Sequence, residues 1–116
     1  MPSAKIPKKR TYLNFFEHGC VGSYMSPGQW RDPNDTGESK DRLSYWLNLA
    51  RAAERGKISF MFFADSYSTF NIFGGSPDAV LRWGSQFAVI DPMVIIPAMA
   101  SVTKSLGSFL NFRDAD

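Results

Sequence analysis

With 116 residues, 44% hydrophobic and 21% charged, the chain has the makeup of one ordinary globular domain rather than a disordered or fibrous polypeptide. A net charge of +2 is too small to mark a nucleic-acid partner, and the single cysteine, Cys20, excludes an internal disulfide and a cysteine-built metal site. No apolar run approaches the roughly 20 residues of a bilayer span, and none follows the N-terminal charges as in a secretory leader, so a soluble cytoplasmic protein without membrane contact is expected.

Residues 1–11 carry Lys5, Lys8, Lys9 and Arg10, with no acid before Glu17. A nuclear-import patch or a phosphate contact is the functional reading of such a tail. A solvated, flexible basic terminus is the expectation. Tyr12 to Phe16 is a short β-prone run and the first strand. A long series of breakers follows, from Gly19 and Gly22 through Ser26-Pro27-Gly28 to Asp32-Pro33-Asn34-Asp35. Loops of that length are functional or disordered, and this one carries Tyr24, Met25 and Trp30, which need something to pack against.

Asp41 to Arg55 has the clearest helical period. Leu43, Trp46, Leu47, Ala50 and Ala53 make one apolar stripe, while Asn48, Arg51 and Arg55 lie off it. Ser39 or Asp41 is the expected N-cap, and Gly56 the left-handed stop. Ile58 to Ala64 is apolar on both faces and too short for a helix, as a covered strand of a parallel sheet reads. Asp65 stands at its carboxyl end, where α/β sheets and barrels bind ligands. Gly74-Gly75-Ser76-Pro77 is a break and Asp78 to Trp83 a short helical turn. Asp91-Pro92 starts another helix. Its body, Met93 to Leu106, is apolar almost all round, with Pro97 expected to kink it and Lys104 and Gly107 to close it. Residues 108–116 diverge from the scheme, and Phe109 to Phe112 offers only a stub of strand.

The pattern is α/β, a βαβα series with parallel strands. Such a piece would leave open sheet edges and an uncovered helix face, so the chain alone is expected to be marginal or aggregation-prone. His18, the only histidine, offers no His-pair metal site and reads as a loop residue. Cys20 reads as a small packed side chain. Gly74-Gly75-Ser76 lacks the spacing of a phosphate loop and reads as a turn. Trp30, Trp83 and Phe87 either wall a pocket or pack loops; both readings stay open.

An ordered series of segments is similar to one branch of the luciferase-like flavin-dependent monooxygenases, the branch of the nitrilotriacetate, dibenzothiophene-sulfone and dimethyl-sulfide enzymes. It starts with Leu13-Asn14-Phe15-Phe16 and Gly28-Gln29-Trp30-Arg31. Tyr45-Trp46, Leu49-Ala50-Arg51, Ala53-Glu54-Arg55-Gly56-Lys57 and Phe62-Phe63-Ala64-Asp65 continue it. Asp91-Pro92 and the run from Ala100 to Gly107 complete it, over residues 12–107. The resemblance implies the N-terminal βαβα portion of a TIM (β/α)8 barrel, incomplete here, since closure takes eight strands and roughly 250 residues. It implies reduced FMN delivered by a separate flavin reductase, O2, a small organic substrate and scope for a homo-oligomer. Asp65 would hydrogen-bond to the isoalloxazine ring or to groups around it. It assigns no catalytic residue and no metal ligand. Ser108-Phe109-Leu110-Asn111 replaces the third-strand Thr and Ser residues of relatives, so the chain by itself is expected to be inactive. The alternative is a non-catalytic, shortened paralogue acting as a binding protein.

Overall fold

A computed structural model describes residues 8–20, 28–66, 71–85 and 89–113, and for Ser66 and residues 109–113 the backbone only. Tyr24, Met25 and Phe87 lie outside the described residues, as do most of the basic tail and residues 114–116. Lys8, Lys9 and Arg10 are exposed.

The first strand, β1, is Asn14–His18. It starts two residues later than its apolar run because Tyr12 and Leu13 precede the ladder; the Leu13 carbonyl accepts from Ser59 N at 2.8 Å. Helix α1, Leu43–Arg55, buries Trp46, Ala50 and Ala53 from the expected stripe. Neither end follows expectation. Arg42 holds the N-cap position without a side-chain cap, because residues Gly37–Asp41, with both expected caps, wind into a 3-10 turn. Trp46 Nε1 fixes that turn by donating to the Lys40 carbonyl at 2.8 Å. At the other end Gly56 has φ −75°, and it is Lys57 that turns left-handed, at φ 59°.

Strand β2, Phe60–Ser66, lies between β1 and β3 in a parallel three-stranded sheet of order β1-β2-β3. The short helix α2 spans Asp78–Trp83 and α3 spans Pro92–Ser101. Asp91 caps α3 as expected, its carboxylate accepting from Met93 N at 2.8 Å. The helix ends well before Leu106, for a reason that lies in α1. Glu54 accepts from the Lys104 and Ser105 amides at 2.6 and 2.8 Å and from Ser105 Oγ at 3.2 Å, which draws the chain out of the helix toward the sheet. Gly107 therefore does not close α3; it opens β3, Gly107–Arg113. A Cβ at that position would overlap the Phe60 ring. The expected stub is a full strand, paired with β2 from Phe60↔Gly107 to Ser66↔Arg113.

Trp46, Ala50 and Ala53 of α1, Met61 and Phe63 of β2, and Ile95 and Met99 of α3 form one buried cluster. Both long crossover helices thus cover the same face of the sheet. Strand order that follows chain order, with helices on one side only, is the winding of a barrel wall; a doubly wound sheet puts helices on both faces. The opposite face is lined by aromatic rings, Tyr12 with Phe60 at 6.2 Å and Phe16 with Phe62 at 5.5 Å. On α3, Met93 and Val94 are 56% and 69% exposed, so this apolar helix is covered on one side where its sequence called for several.

Two outcomes follow from this architecture. Sedimentation of the isolated chain should give a mass that rises with concentration above 13.0 kDa; a monodisperse monomer with a cooperative melt above about 50 °C would contradict it. The three hydrogen bonds to Glu54 hold its carboxyl below the usual range. A depressed folded pKa gives stability that is present above the unfolded value and lost as pH falls through the folded one. Glu54→Gln should therefore lose stability at neutral pH and flatten the acid limb of the pH–stability curve.

Candidate functional site

Because the strands are parallel, their carboxyl ends share one edge of the sheet, with His18 beside Ala64 and Ser66 beside Arg113. Side chains alternate along each strand. Phe15 and Glu17 take the face of Met61 and Phe63, toward the helices, and Phe16 and His18 take the face of Phe62 and Ala64, toward the open side.

Glu17 anchors the helix side of this edge. Its Oε1 meets Lys40 Nζ at 2.8 Å and its Oε2 accepts from Tyr45 Oη at 3.1 Å. Oε1 also accepts from the His18 amide at 2.9 Å. One carboxylate thus joins β1, the turn before α1 and the first turn of α1. Burial, then the negative charge of Glu17 and its hydrogen bond, push the Tyr45 hydroxyl up to about 12. Glu17, Lys40 and Tyr45 were not singled out by sequence reasoning. They stand 23 and 28 residues apart, and no local pattern signals the contact.

Lys40 and Tyr45 line a cavity of about 280 Å³ together with Gln29, Trp30, Asp35, Thr36, Gly37 and Ser39. Of the three aromatics expected at a pocket or in loop packing, the structure joins two. Trp30 Nε1 donates to the Trp83 carbonyl at 2.9 Å, and the Arg31 guanidinium lies 5.0 Å from the centroid of each indole. Trp30 thereby serves both readings, as pocket wall and as loop packing.

His18 is the last residue of β1 rather than a loop residue. Its ring stands edge-on to Phe16 at 4.9 Å, and burial lowers its pKa against the opposing pull of Glu17, with Lys40 lowering it further. The imidazole is therefore neutral at pH 7. Cys20 is buried, and burial raises its thiol pKa, which makes it a packed residue. Gly74 and Gly75 have φ 70° and 67° with open space around both, a bare turn. Asp65 is 6% exposed at the carboxyl end of β2, and alternation sets it with Met61 and Phe63. Among the described residues there is no group of three His, Cys, Asp or Glu that could hold a metal. No described helix is long and apolar enough to cross a membrane.

No family model matches the chain. Dimethyl-sulfide monooxygenase of Hyphomicrobium sulfonivorans is 40% identical over 100 residues, covering 86% of this chain and 21% of the relative. The crystal structure of a long-chain alkane monooxygenase superposes with a TM-score of 0.80 at 36% identity, over 89% of this chain and 24% of that one. A riboflavin lyase structure containing modified FMN superposes at 0.74 with 26% identity, over 88% and 23%. The chain spans about a fifth to a quarter of the length of the proteins it matches.

Ultraviolet titration of the tyrosines tests the Glu17 network. One of the four tyrosines should ionise last, near pH 12, and Glu17→Gln should bring it down only part of the way, because burial, the larger cause, remains. A raised folded pKa gives stability present below the unfolded value and lost as pH rises, here across about 10 to 12. Tyr45→Phe should remove that alkaline loss.

Proposed function

We propose that, over the stretch it spans, the chain belongs to the luciferase-like flavin-dependent monooxygenases and supplies part of the flavin-holding mouth of a barrel that oxygenates a small organic substrate. The observation that carries the reading is the winding: strands in chain order, helices on one face, and polar residues gathered at the carboxyl ends. The three strands among the described residues do not close a barrel, which takes eight. The isolated 116-residue chain would not turn over.

The cofactor in this reading is reduced FMN, delivered by a separate flavin reductase, and its chemistry when bound is activation of O2 for transfer of one oxygen atom. The residues present suit the ring end of such a group. The open sheet face offers Phe16 and Phe62 as an apolar floor, while Asp65 is a buried carboxylate on the helix side of β2, which would reach the ring only over the carboxyl end of the strand. Asp65 would orient the isoalloxazine ring by hydrogen bonding, directly or through neighbouring groups. The phosphate end is not provided for among the described residues: Lys40 is engaged by Glu17 and Arg31 by the Arg82 carbonyl. In barrels phosphate sites commonly follow the seventh and eighth strands. What the chain's own residues do is shape and dry the mouth. Glu17, Lys40 and Tyr45 fix the turn above β1, and the neutral His18 imidazole faces the open side. The relatives are named for chemically diverse organic substrates, dimethyl sulfide and long-chain alkanes among them, so the class proposed is an organic small molecule.

A graft tests this without depending on the stability of the isolated piece. Residues 12–113 would replace the matching segment of dimethyl-sulfide monooxygenase, to be assayed with FMN, a flavin reductase and the sulfide. The graft should retain flavin-dependent oxygenation, and Asp65→Asn within it should weaken FMN binding by about ten- to a hundredfold, the scale of one hydrogen bond to a charged group. A folded graft that binds no flavin, or an Asp65→Asn variant with unchanged affinity, would overturn the assignment.

A further inference from the structure

Helix α2 has six residues, Asp78–Trp83, and buries none of them. So short a helix does not hold itself together in water, since nucleation is costly and no apolar face is covered. Its last four carbonyls need partners from outside its own ladder. Val80 and Leu81 accept from Ser85 N and Gly84 N, at 3.1 and 3.4 Å, which is a left-handed stop at Gly84 with φ 64°. The other two are met by a segment some fifty residues earlier in the chain. Trp83 O accepts from Gly28 N at 3.1 Å and from Trp30 Nε1 at 2.9 Å. Arg82 O accepts from Arg31 Nη2 at 2.8 Å. The same guanidinium lies between the two indoles, 5.0 Å from each. Gly84 admits this approach because a Cβ there would come within 2.7 Å of the Trp30 indole nitrogen. The segment that caps α2 is itself only a 3-10 turn, Gln29–Arg31, with no buried residue.

Each piece therefore completes the other, and neither contributes a side chain to the core cluster. Gln29 and Trp30 also line the cavity, together with Lys40 and Tyr45, which are fixed to β1 through Glu17. We propose that residues 28–31 and 78–85 form a single two-part flap, pinned by Arg31 between Trp30 and Trp83, that moves as one body and opens or closes the cavity beside the carboxyl end of β1. Arg31 is a positioning residue in this account. Its guanidinium joins the two loops that follow β1 and β2, so whatever enters the cavity is sensed by both. The proposal does not depend on which reaction the strand ends support.

Hydrogen–deuterium exchange on the chain as it stands distinguishes a flap from ordinary surface packing. Arg31→Ala removes the carbonyl donor and the stacked cation together. It should speed exchange of the Gly84 and Ser85 amides and of the Gly28, Arg31 and Asp32 amides by a common factor of about ten, the scale of one such hydrogen bond plus an exposed cation–π pair. Amides of β2, residues 60–66, should be unchanged. Arg31→Lys keeps the charge but not the planar fork, and should fall between the two in both segments. Acceleration of one segment alone would overturn the proposal, as would no change in either. Equal acceleration in β2 would also overturn it, because the pin would then be a support of global stability.

Discussion

A parallel strand must be covered on both faces, and among the described residues helices cover β2 on one. Met61 and Phe63 are fully buried beneath Trp46, Ile95 and Met99, while Phe62, one residue away from each, is half-buried and packs on Phe16 across the other face. That asymmetry organises everything else. It sets the winding, since both long helices lie on the buried side. It sets which strand-end residues reach the helix layer and which reach the open side. It also places the demand for further structure on the aromatic face. Burial of a large apolar side chain contributes about 1.5–3 kcal/mol, so leaving Tyr12, Phe16, Phe60 and Phe62 half-covered forfeits a sizeable share of the stability that a domain of this length can muster.

The carboxyl edge of the sheet inherits the same division. On the helix side Glu17 draws Lys40 and Tyr45 together and gives the turn before α1 a fixed height above the sheet. The Lys40–Glu17 ion pair is only partly exposed, at 17% and 16% for the two side chains. The Coulomb term is therefore less screened than for a surface pair, whose net worth is near zero to 1 kcal/mol. On the open side the neutral His18 and the aromatic floor are poor in charge. A hydrogen-bonded rim backing an apolar floor is the general form of a small-molecule site.

Much of this was legible in the sequence because it depends on local order. The stripe of α1 marked its buried residues, and the two-sided apolarity of residues 58–64 marked the central parallel strand. The Asp78–Trp83 turn kept its expected bounds, and Asp91 could be read as a cap because a cap acts two residues away. What escaped the sequence acts at long range. Ser39 and Asp41 are good caps in isolation, but the Trp46 indole holds Lys40 O and keeps both in a 3-10 turn. The pattern runs on to Leu106 with Gly107 as its stop, but Glu54 takes the Lys104 and Ser105 amides and ends the helix early. At the site, the strand-end position of Asp65 was readable. The register that decides which face its neighbours take was not, because it rests on pairing between β1 and β2.

The long-range contacts also explain why the resemblance lay in separated segments. Gly28-Gln29-Trp30-Arg31 caps the helix that ends at Trp83. Glu54, from Ala53-Glu54-Arg55, holds Lys104 and Ser105 of the run from Ala100 to Gly107. Gly107, at the end of that run, makes room for Phe60, two residues before Phe62-Phe63-Ala64-Asp65. Each of these motifs has a geometric partner elsewhere in the chain, and in each case the contact joins the end of one strand, helix or turn to the end of another or to the loop beside it. A barrel wall is a repeat of strand, loop and helix whose elements are individually interchangeable. The bonds that hold one repeat to the next are specific to atoms and distances, so a signature of this architecture concentrates in the segments that make those bonds, between stretches of ordinary apolar periodicity.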